Sequence, residues 1–153
     1  MSPVTVDLEA RVRRLEDRVL ITERVISYGV AVDERDWVRF AECFTDPVHA
    51  DYSENGLPAA DFARDDLVDI VRSAVSGYTA TQHLSANHVT DFDPDDPDRA
   101  TCHSSMHAQH YLADNEELLI LRGWYVNHLV RLADSWRIER IVQHVSWRED
   151  RRS

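Results

Sequence analysis

The residues best suited to proton transfer lie in two short segments, one around residue 28 and one around residue 83. The first segment contains Tyr28 and Asp33 in a stretch with helical periodicity, and the second places His83 on a predicted strand. Apolar residues recur through the first segment at spacings of three, four or their multiples. Asp33 falls inside this apolar stripe, between Ile26 and Trp37. The pattern therefore predicts a carboxylate on a buried helix face, within reach of an imidazole.

A carboxylate in an apolar stripe needs a partner, because desolvating an unpaired ionised carboxylate is costly. We expect His83 to be that partner, with His110 on a later strand as the second candidate. Two other interpretations of Asp33 stay open, a helix-end cap and a structural ion pair with an arginine such as Arg140. Tyr28 is equally compatible with a core aromatic role. The predicted stripe consists of Leu8, Val12, Leu15, Val19, Ile26, Val30 and Trp37.

Strand alternation sorts the histidines of the later strands onto different faces. In residues 99–112 one face is small and mostly apolar and ends in His110, which is typical of a pocket lining. His103 and His107 fall on the opposite, polar face, so the three histidines do not share a metal-ligand geometry and we predict no metal. In residues 79–92 the same alternation puts His83 on one face with Ser85 and Asn87. The inner face of residues 99–112 consists of Ala100, Cys102, Ser104, Met106, Ala108 and His110.

The elements that must position these residues are three helices followed by a run of strands. Caps and periodicity predict helices at 6–34, 36–44 and 61–76, with Thr45-Asp46-Pro47 ending the second. Strands are predicted at 49–52, 79–92, 99–112, 118–132 and 135–147. We expect one α+β domain spanning residues 1–153, with residues 1–15 as a charged helical extension. Its curved, mainly antiparallel sheet would pack against three N-terminal helices and form a cone-shaped barrel with one open mouth.

Composition excludes several classes of function. The chain has 153 residues, 28 acidic against 17 basic, and a net charge of -11, which disfavours nucleic acid and anionic membrane surfaces as partners. No segment has the pattern of a signal peptide or a membrane span, so a cytoplasmic protein is predicted. An open sheet with aromatic and histidine-rich outer positions also predicts a homo-oligomer, either a dimer or a trimer.

The motifs together resemble the SnoaL-like branch of the nuclear-transport-factor-2-like superfamily, and within it scytalone dehydratase and bile-acid dehydratase. The resemblance covers about residues 20 to 148 and departs from scytalone dehydratase at Val32, where that enzyme has a tyrosine. A hexachlorocyclohexane dehydrochlorinase of the same fold has an Asp-His pair that would fall on Asp33 and His83. The segments that carry the resemblance are Asp33-Glu34-Arg35-Asp36-Trp37, Asp51-Tyr52, Thr81-Gln82-His83 and His110-Tyr111.

This resemblance implies a pocket formed by Asp33, Tyr52, His83 and His110, to which the bile-acid dehydratase pattern adds Tyr28. The shared chemistry removes a proton next to an activated carbon and expels a leaving group, with no metal or organic cofactor. We expect a dehydratase (lyase) acting on a hydroxylated ketone of polyketide, steroid or terpenoid type. The alternatives are an isomerase or cyclase on the same scaffold and a non-catalytic small-molecule-binding protein.

In the expected mechanism Asp33 orients His83, which takes the proton. Tyr28 and Tyr52 donate hydrogen bonds to the carbonyl oxygen of an apolar substrate, directly or through a water. His110 passes the proton to the departing hydroxyl or positions a water. The predicted substrate-binding wall residues are Trp37, Phe40, Met106, Trp124, Tyr125 and Trp147.

Overall fold

The computed structural model describes residues 7–114, 116–133 and 135–151. The helices are α1 (Leu8–Glu34), α2 (Trp37–Glu42) and α3 (Arg64–Val75). The strands are β1 (Phe44–Asp51), β2 (Ala59–Phe62), β3 (Ala80–Phe92), β4 (Arg99–Leu112), β5 (Glu117–Leu132) and β6 (Ser135–Arg151), with one 3-10 turn at Ser53–Asn55. None of the described helices combines the length and the apolar character needed to span a membrane.

The six strands form one mixed sheet in the order β2-β1-β6-β5-β4-β3. Neighbouring strands are antiparallel except for β1 and β6, which run parallel. The sheet is curved but unclosed, because β2 and β3 are its two edges. This arrangement confirms the predicted α+β fold of three helices packed on a curved, mainly antiparallel sheet.

Three predicted boundaries around β1 are wrong: the end of the second helix, the start of the first strand and the start of the third helix. The second helix ends at Glu42 instead of residue 44, and the segment expected to stop it belongs to β1. The ladder between β1 and β6 is irregular between Phe44 and His49, which accommodates Pro47 and its missing N–H. Residues 59–62, partly assigned to the third helix, pair with β1 as β2. As a result α3 follows two strands and is not N-terminal to the whole sheet.

The alternation predicted for β4 is confirmed, since all six residues of its expected inner face are buried. The alternation predicted for β3 fails beyond Ala86, because the register shifts between Ala86 and Val89 and Asn87 has a φ of 53°. After this bulge Asn87 is exposed and His88 turns toward Ser85, whose Oγ lies 2.8 Å from His88 Nε2. The prediction that Asn87 shares the face of His83 is therefore wrong.

The face of α1 that packs on the sheet is not the predicted stripe. Leu8, Val12, Leu15, Val19 and Ile26 are between 38% and 67% exposed. The buried face instead consists of Asp17, Ile21, Val25, Tyr28, Gly29, Ala31 and Val32.

An ion pair anchors this buried face to the sheet. The Asp17 carboxylate accepts hydrogen bonds from Arg131 at 2.7 Å and from Trp136 Nε1 at 3.1 Å. Because the pair joins α1 to β5 and β6, it fixes which side of the helix faces the sheet.

Candidate active site

The C-terminal end of α1 places Asp33 against β3, where its carboxylate accepts three hydrogen bonds. The ring Nδ1 of His83 lies 2.6 Å from Oδ1, and the backbone N–H of the same residue donates to Oδ2 at 2.7 Å. The hydroxyl of Thr81 donates to Oδ1 at 3.0 Å. Of the two histidines considered as partners for Asp33, the structure therefore brings His83 to it, with both side chains largely shielded from solvent.

These contacts stabilise the charged form of Asp33. Partial burial by itself raises the pKa of this carboxyl, but the hydrogen bonds from His83 and Thr81 outweigh it, so the pKa of Asp33 lies below its usual value. Because an ionised carboxylate only accepts hydrogen bonds, Nδ1 of His83 carries the hydrogen. In the neutral imidazole Nε2 then has the free lone pair.

Arg35 stabilises the Asp33–His83 pair indirectly, through Thr81 and the end of α1. Its guanidinium donates to the Thr81 hydroxyl at 2.8 Å and to the Val32 carbonyl at 2.6 Å. Since the Thr81 oxygen accepts from Arg35, its own hydrogen is directed to Asp33. Arg35 caps α1 with a φ of 59°, an unusual conformation for a residue with a Cβ. Sequence reasoning assigned no role to Arg35 or Thr81, although both lie inside the quoted motifs.

Gly29 lets α1 approach the strand that carries His83. A Cβ at this position would lie 3.0 Å from the Cβ of His83 and 3.3 Å from its carbonyl oxygen. Sequence reasoning missed this residue. A signal was present, because a glycine inside a long helix costs about 1 kcal/mol relative to alanine and usually has a packing reason.

A cavity of about 310 Å³ opens beside His83. It lies between the inner face of the sheet and the helices α1 and α3. Its apolar walls are Leu57, Val71, Ala74, Val75, Ala108, Leu119 and Leu121. Its polar groups belong to Tyr28, Tyr52, Asn55, Tyr78, His83, His110, Tyr125, Gln143 and Arg148. An apolar cavity with a few convergent polar groups is typical of a small-molecule site.

Three buried tyrosines line the side of this cavity formed by α1 and the central strands. The hydroxyls of Tyr28 and Tyr52 lie 3.2 Å apart, and the Tyr125 hydroxyl accepts a hydrogen bond from Gln143 at 3.0 Å. Burial raises the pKa of all three tyrosines above the usual value. Each hydroxyl therefore keeps its hydrogen at neutral pH. Because one of Tyr28 and Tyr52 donates to the other, the second of that pair has its hydrogen free for a ligand oxygen.

His110 is buried next to His83 on the adjoining strand. The two rings meet edge to face with centroids 5.4 Å apart, and the Tyr78 ring lies 4.9 Å from His110 on another side. Burial, reinforced by the nearby His83, lowers the pKa of His110 to about 4. Nδ1 of His110 has no hydrogen-bond partner within the described residues. A neutral imidazole of this kind can hold a ligand hydroxyl or a water.

Of the predicted wall residues, Tyr125 lines the cavity and Met106 lines only a narrow space beside it. Phe40 is fully buried behind Tyr28, with ring centroids 5.2 Å apart. Trp37 packs against Phe40 and is absent from the cavity wall.

Trp124 and Trp147 are also absent from the wall, with 43% and 52% of their surface exposed. Trp124 precedes Tyr125 on β5 and so points to the opposite face of the sheet. The indole of Trp124 stacks on His144 at 4.8 Å, and the guanidinium of Arg122 lies 5.4 Å from the Trp147 ring.

The histidines considered as metal ligands do not come together. His103 and His107 lie on the less buried face of β4, opposite His110. Across residues 7–114, 116–133 and 135–151, no group of three or more His, Cys, Asp or Glu side chains is arranged to hold a metal ion.

The sequence matches one domain family and proteins of two mycobacteria. The sequence pattern of the SnoaL-like domain family matches residues 13–142. Proteins Rv2910c of Mycobacterium tuberculosis and Mb2934c of Mycobacterium bovis are each 25% identical over 133 residues, covering 86% of this chain and 87% of theirs.

Several solved structures share the fold. The Kfla4162 protein of Kribbella flavida superposes with a TM-score of 0.81 at 29% identity, covering 89% of this chain and 95% of that one. The proposed scytalone dehydratase of Novosphingobium aromaticivorans gives 0.78 at 19% identity, covering 90% and 89%. The hexachlorocyclohexane dehydrochlorinase LinA-type3 of Novosphingobium barchaimii gives 0.79 at 16% identity, covering 92% and 93%. At 19% and 16% identity, the similarity to the last two structures shows a shared fold.

Proposed function

The chain belongs to the SnoaL-like domain family, and we propose that it is a cofactor-independent lyase that removes water from a small hydroxylated ketone. The observation that carries the proposal is the Asp33–His83 pair. Its imidazole lines a cavity that also holds three protonated tyrosines. Two proteins that share the fold are named for eliminations, one a dehydratase and one a dehydrochlorinase, which supports elimination as the reaction class.

His83 is the proposed base. Since Nδ1 donates to Asp33, Nε2 is the nitrogen that takes the proton from the carbon next to the substrate carbonyl. The C–H electron pair then moves into the enolate. The positive charge formed on the imidazole is stabilised by the Asp33 carboxylate, which is itself held by Thr81 and the His83 backbone.

Tyr28 and Tyr52 are the proposed donor pair for the enolate oxygen: one hydroxyl donates to that oxygen, and the other donates to the first hydroxyl across the 3.2 Å between them. Both hydroxyls lie at the cavity and keep their hydrogens at neutral pH, because burial raises their pKa. Removing one such donor in other enzymes costs about 3 kcal/mol of barrier. The ring contacts of Tyr28 with Phe40 and Tyr125 hold its hydroxyl in place before a substrate binds.

Loss of the hydroxyl group completes the reaction. The enolate pair re-forms the carbonyl, the new double bond develops, and the carbon–oxygen bond breaks as the hydroxyl takes a proton and leaves as water. The His83 imidazolium is the proton source, since the pKa of His110 near 4 leaves that ring neutral. We assign the neutral His110 ring, which lines the cavity, to position the departing hydroxyl.

The cavity favours a compact apolar substrate. Its volume of about 310 Å³ lies at the small end of the range for ligand sites, roughly 300–1,000 Å³. Within the polyketide, steroid and terpenoid classes, the smaller hydroxylated ketones therefore fit best. A cytoplasmic location and a homo-oligomeric state are further parts of the proposal.

The test follows both the proton and the leaving group. The purified protein is incubated in D₂O with a panel of β-hydroxy ketones, while NMR monitors exchange at the carbon next to the carbonyl and absorbance monitors the conjugated enone. We expect both signals with the wild type and neither with His83→Ala, whose circular dichroism and melting temperature should stay close to wild type. The matched control is His49→Ala, which removes a surface imidazole paired with Asp61 at 2.7 Å.

The outcomes separate the alternatives. Exchange without water loss would replace the lyase by an isomerase that uses the same base and donors. Binding without exchange would favour a non-catalytic carrier. Near-normal turnover by His83→Ala would refute the assignment of the base.

A further inference from the structure

The exposed apolar residues of α1 form a second surface, on the side of the helix away from the sheet. Most of them expose 46% to 67% of their surface, and Ile26 exposes 38%. The buried side of α1 carries Ile21, Val25 and Tyr28, and these residues, not the exposed ones, pack against the described body of the protein. We call the row formed by Leu8, Val12, Leu15, Val19 and Ile26, with the half-buried Thr22 at the same spacing, the α1 seam. Leu20, which is 41% exposed, lies outside this row.

The spacing within the α1 seam is that of a coiled coil. Its positions alternate by four and three residues, which is the 3.5-residue period of a heptad repeat. One set of positions holds the β-branched residues Val12, Val19 and Ile26. The other set holds Leu8, Leu15 and Thr22. β-Branched residues at the first heptad position with leucine at the fourth favour a parallel, two-stranded coiled coil.

The charges on the two edges of the α1 seam have opposite signs, so one edge is complementary to the other edge of a second copy. Glu9, Glu16 and Glu23 flank one edge, and Arg11 and Arg18 flank the other. In a parallel pair, Arg11 faces Glu16 of the partner subunit and Arg18 faces Glu23 of the partner subunit. In an antiparallel pair, arginines would face arginines and glutamates would face glutamates.

These charged groups are available for pairing. All five are exposed, and none forms an ion pair within the described part of the chain. Arg18 donates one N–H to the Thr90 carbonyl at 2.8 Å and its guanidinium lies 5.1 Å from the Phe92 ring, which leaves its remaining N–H groups for a carboxylate.

The first turns of α1 are largely exposed within the described part of the chain. No residue from Leu8 to Glu16 is buried, and burial of the helix begins at Asp17. Arg14 contacts the sheet, because its guanidinium lies 3.9 Å from the ring of Phe92 on β3. A second helix can therefore lie along this part of α1 without displacing the sheet. Because the body of the protein already holds the later turns helical, pairing need not nucleate a new helix.

We propose that α1 of two copies pairs through the α1 seam as a parallel, in-register coiled coil. The partner is a second copy of this chain, because the apolar heptad positions and the flanking charges of one copy are complementary to those of another. The α1 seam ends at Ile26, about two turns before Asp33, and the proposal does not depend on the reaction proposed above.

Sedimentation velocity on the full chain tests the pairing. We expect the wild type to sediment as a dimer, and the double variant Leu15→Glu with Val19→Glu to sediment as a monomer with unchanged circular dichroism. The matched control is Val38→Glu with Leu132→Glu, which changes two exposed apolar residues outside the seam and should leave the dimer intact. A monomeric wild type, a trimer, or a seam variant that assembles like the wild type would overturn the proposal.

Charge reversal tests the parallel direction. Arg11→Glu should weaken the dimer roughly tenfold, because two attractive pairs per dimer become repulsive. Adding Glu16→Arg should restore wild-type affinity, whereas an antiparallel pair would not be restored in this way.

Disulfide trapping gives a second measure of direction. Leu8→Cys should cross-link to a second copy of itself under oxidation, while the buried native Cys43 and Cys102 stay unlinked. Cross-linking only between Leu8→Cys and Ile26→Cys chains would refute the parallel arrangement.

Discussion

Replacing Asp33 by asparagine tests the site most sharply, because the structure determines how the new side chain must sit. The carboxylate accepts from the His83 ring on one oxygen and from the His83 backbone N–H on the other. An amide offers only one oxygen. The backbone N–H cannot change its role, so we expect the amide oxygen to remain there and the amide NH₂ to face Nδ1.

The imidazole must then change its tautomer. Nδ1 becomes the acceptor of the amide N–H, and the hydrogen of the ring moves to Nε2, which removes the lone pair that takes the substrate proton. In a catalytic triad the equivalent aspartate-to-asparagine change lowers kcat by about 10⁴, which is roughly 5 kcal/mol of barrier. We expect a loss of similar size for Asp33→Asn.

Stability should change much less than activity. The amide can keep the backbone bond, the contact with the ring and a contact with the Thr81 hydroxyl, so we expect the free energy of unfolding to fall by about 1–3 kcal/mol at neutral pH. Part of the native stability comes from the ionised form of Asp33, whose pKa is depressed by these bonds. That part is present above the unfolded pKa near 4 and is lost as the pH falls through the folded value.

The assay combines deuterium exchange with ¹⁵N NMR of the histidine rings. The wild type should show hydrogen on Nδ1 of His83, and Asp33→Asn should show it on Nε2 together with the loss of exchange. Asp61→Asn is the matched control, since Asp61 holds His49 in a similar contact but is 81% exposed in its side chain. An unchanged tautomer, or more than a tenth of wild-type exchange, would refute this reasoning.

Two further substitutions test the surroundings of the pair. Burial holds the pKa of His110 at about 4 in the folded protein, whereas in the unfolded chain it is near 6.5. As the pH falls from about 6.5 to 4, the unfolded chain therefore binds a proton that the folded protein does not. The free energy of unfolding falls by up to roughly 3 kcal/mol over this range. We expect His110→Asn to reduce the loss in the free energy of unfolding between pH 7 and pH 4, measured by urea unfolding. The same loss in the variant as in the wild type would contradict this prediction. Gly29→Ala should lower deuterium exchange about 10- to 100-fold, because the new Cβ would lie 3.0 Å from the Cβ of His83 and displace the base. Its melting temperature should stay within a few degrees of wild type, since alanine favours the helix by about 1 kcal/mol, and full exchange activity would contradict the positioning role.

Local signals predicted the strands of the second half of the chain well. The bounds of β4 match the expected residues 99–112, because alternation and the proline-containing turn before it define both the strand and its start. The same alternation separates Trp124 from Tyr125, since neighbouring strand residues point to opposite faces. Alternation therefore excludes Trp124 from the wall that holds Tyr125. The bulge in β3 was not predictable, because nothing in residues 79–92 marks where an extra residue leaves the ladder.

The face of α1 could not be chosen from periodicity. The helix carries two apolar rows, one exposed and one packed on the sheet, and both have helical spacing. The packed face looks less apolar in sequence because it contains Asp17 and Gly29. Which row meets the sheet depends on partners distant in sequence, Arg131 and Trp136 for Asp17 and His83 for Gly29. Those contacts become visible only when the fold is known.

Two acids of α1, Asp17 and Asp33, are shielded from solvent and paired, and their partners distinguish their roles. Asp17 is 3% exposed and is bound by Arg131 and Trp136, which give its charge a permanent cation and leave no group free to react. Asp33 is less buried and binds an imidazole whose second nitrogen is free to exchange a proton at a cavity. A paired arginine keeps its proton at any physiological pH, whereas an imidazole can gain and lose one. The chemistry of the partner, more than the depth of burial, therefore marks Asp33 as the candidate for catalysis and Asp17 as the anchor of the helix.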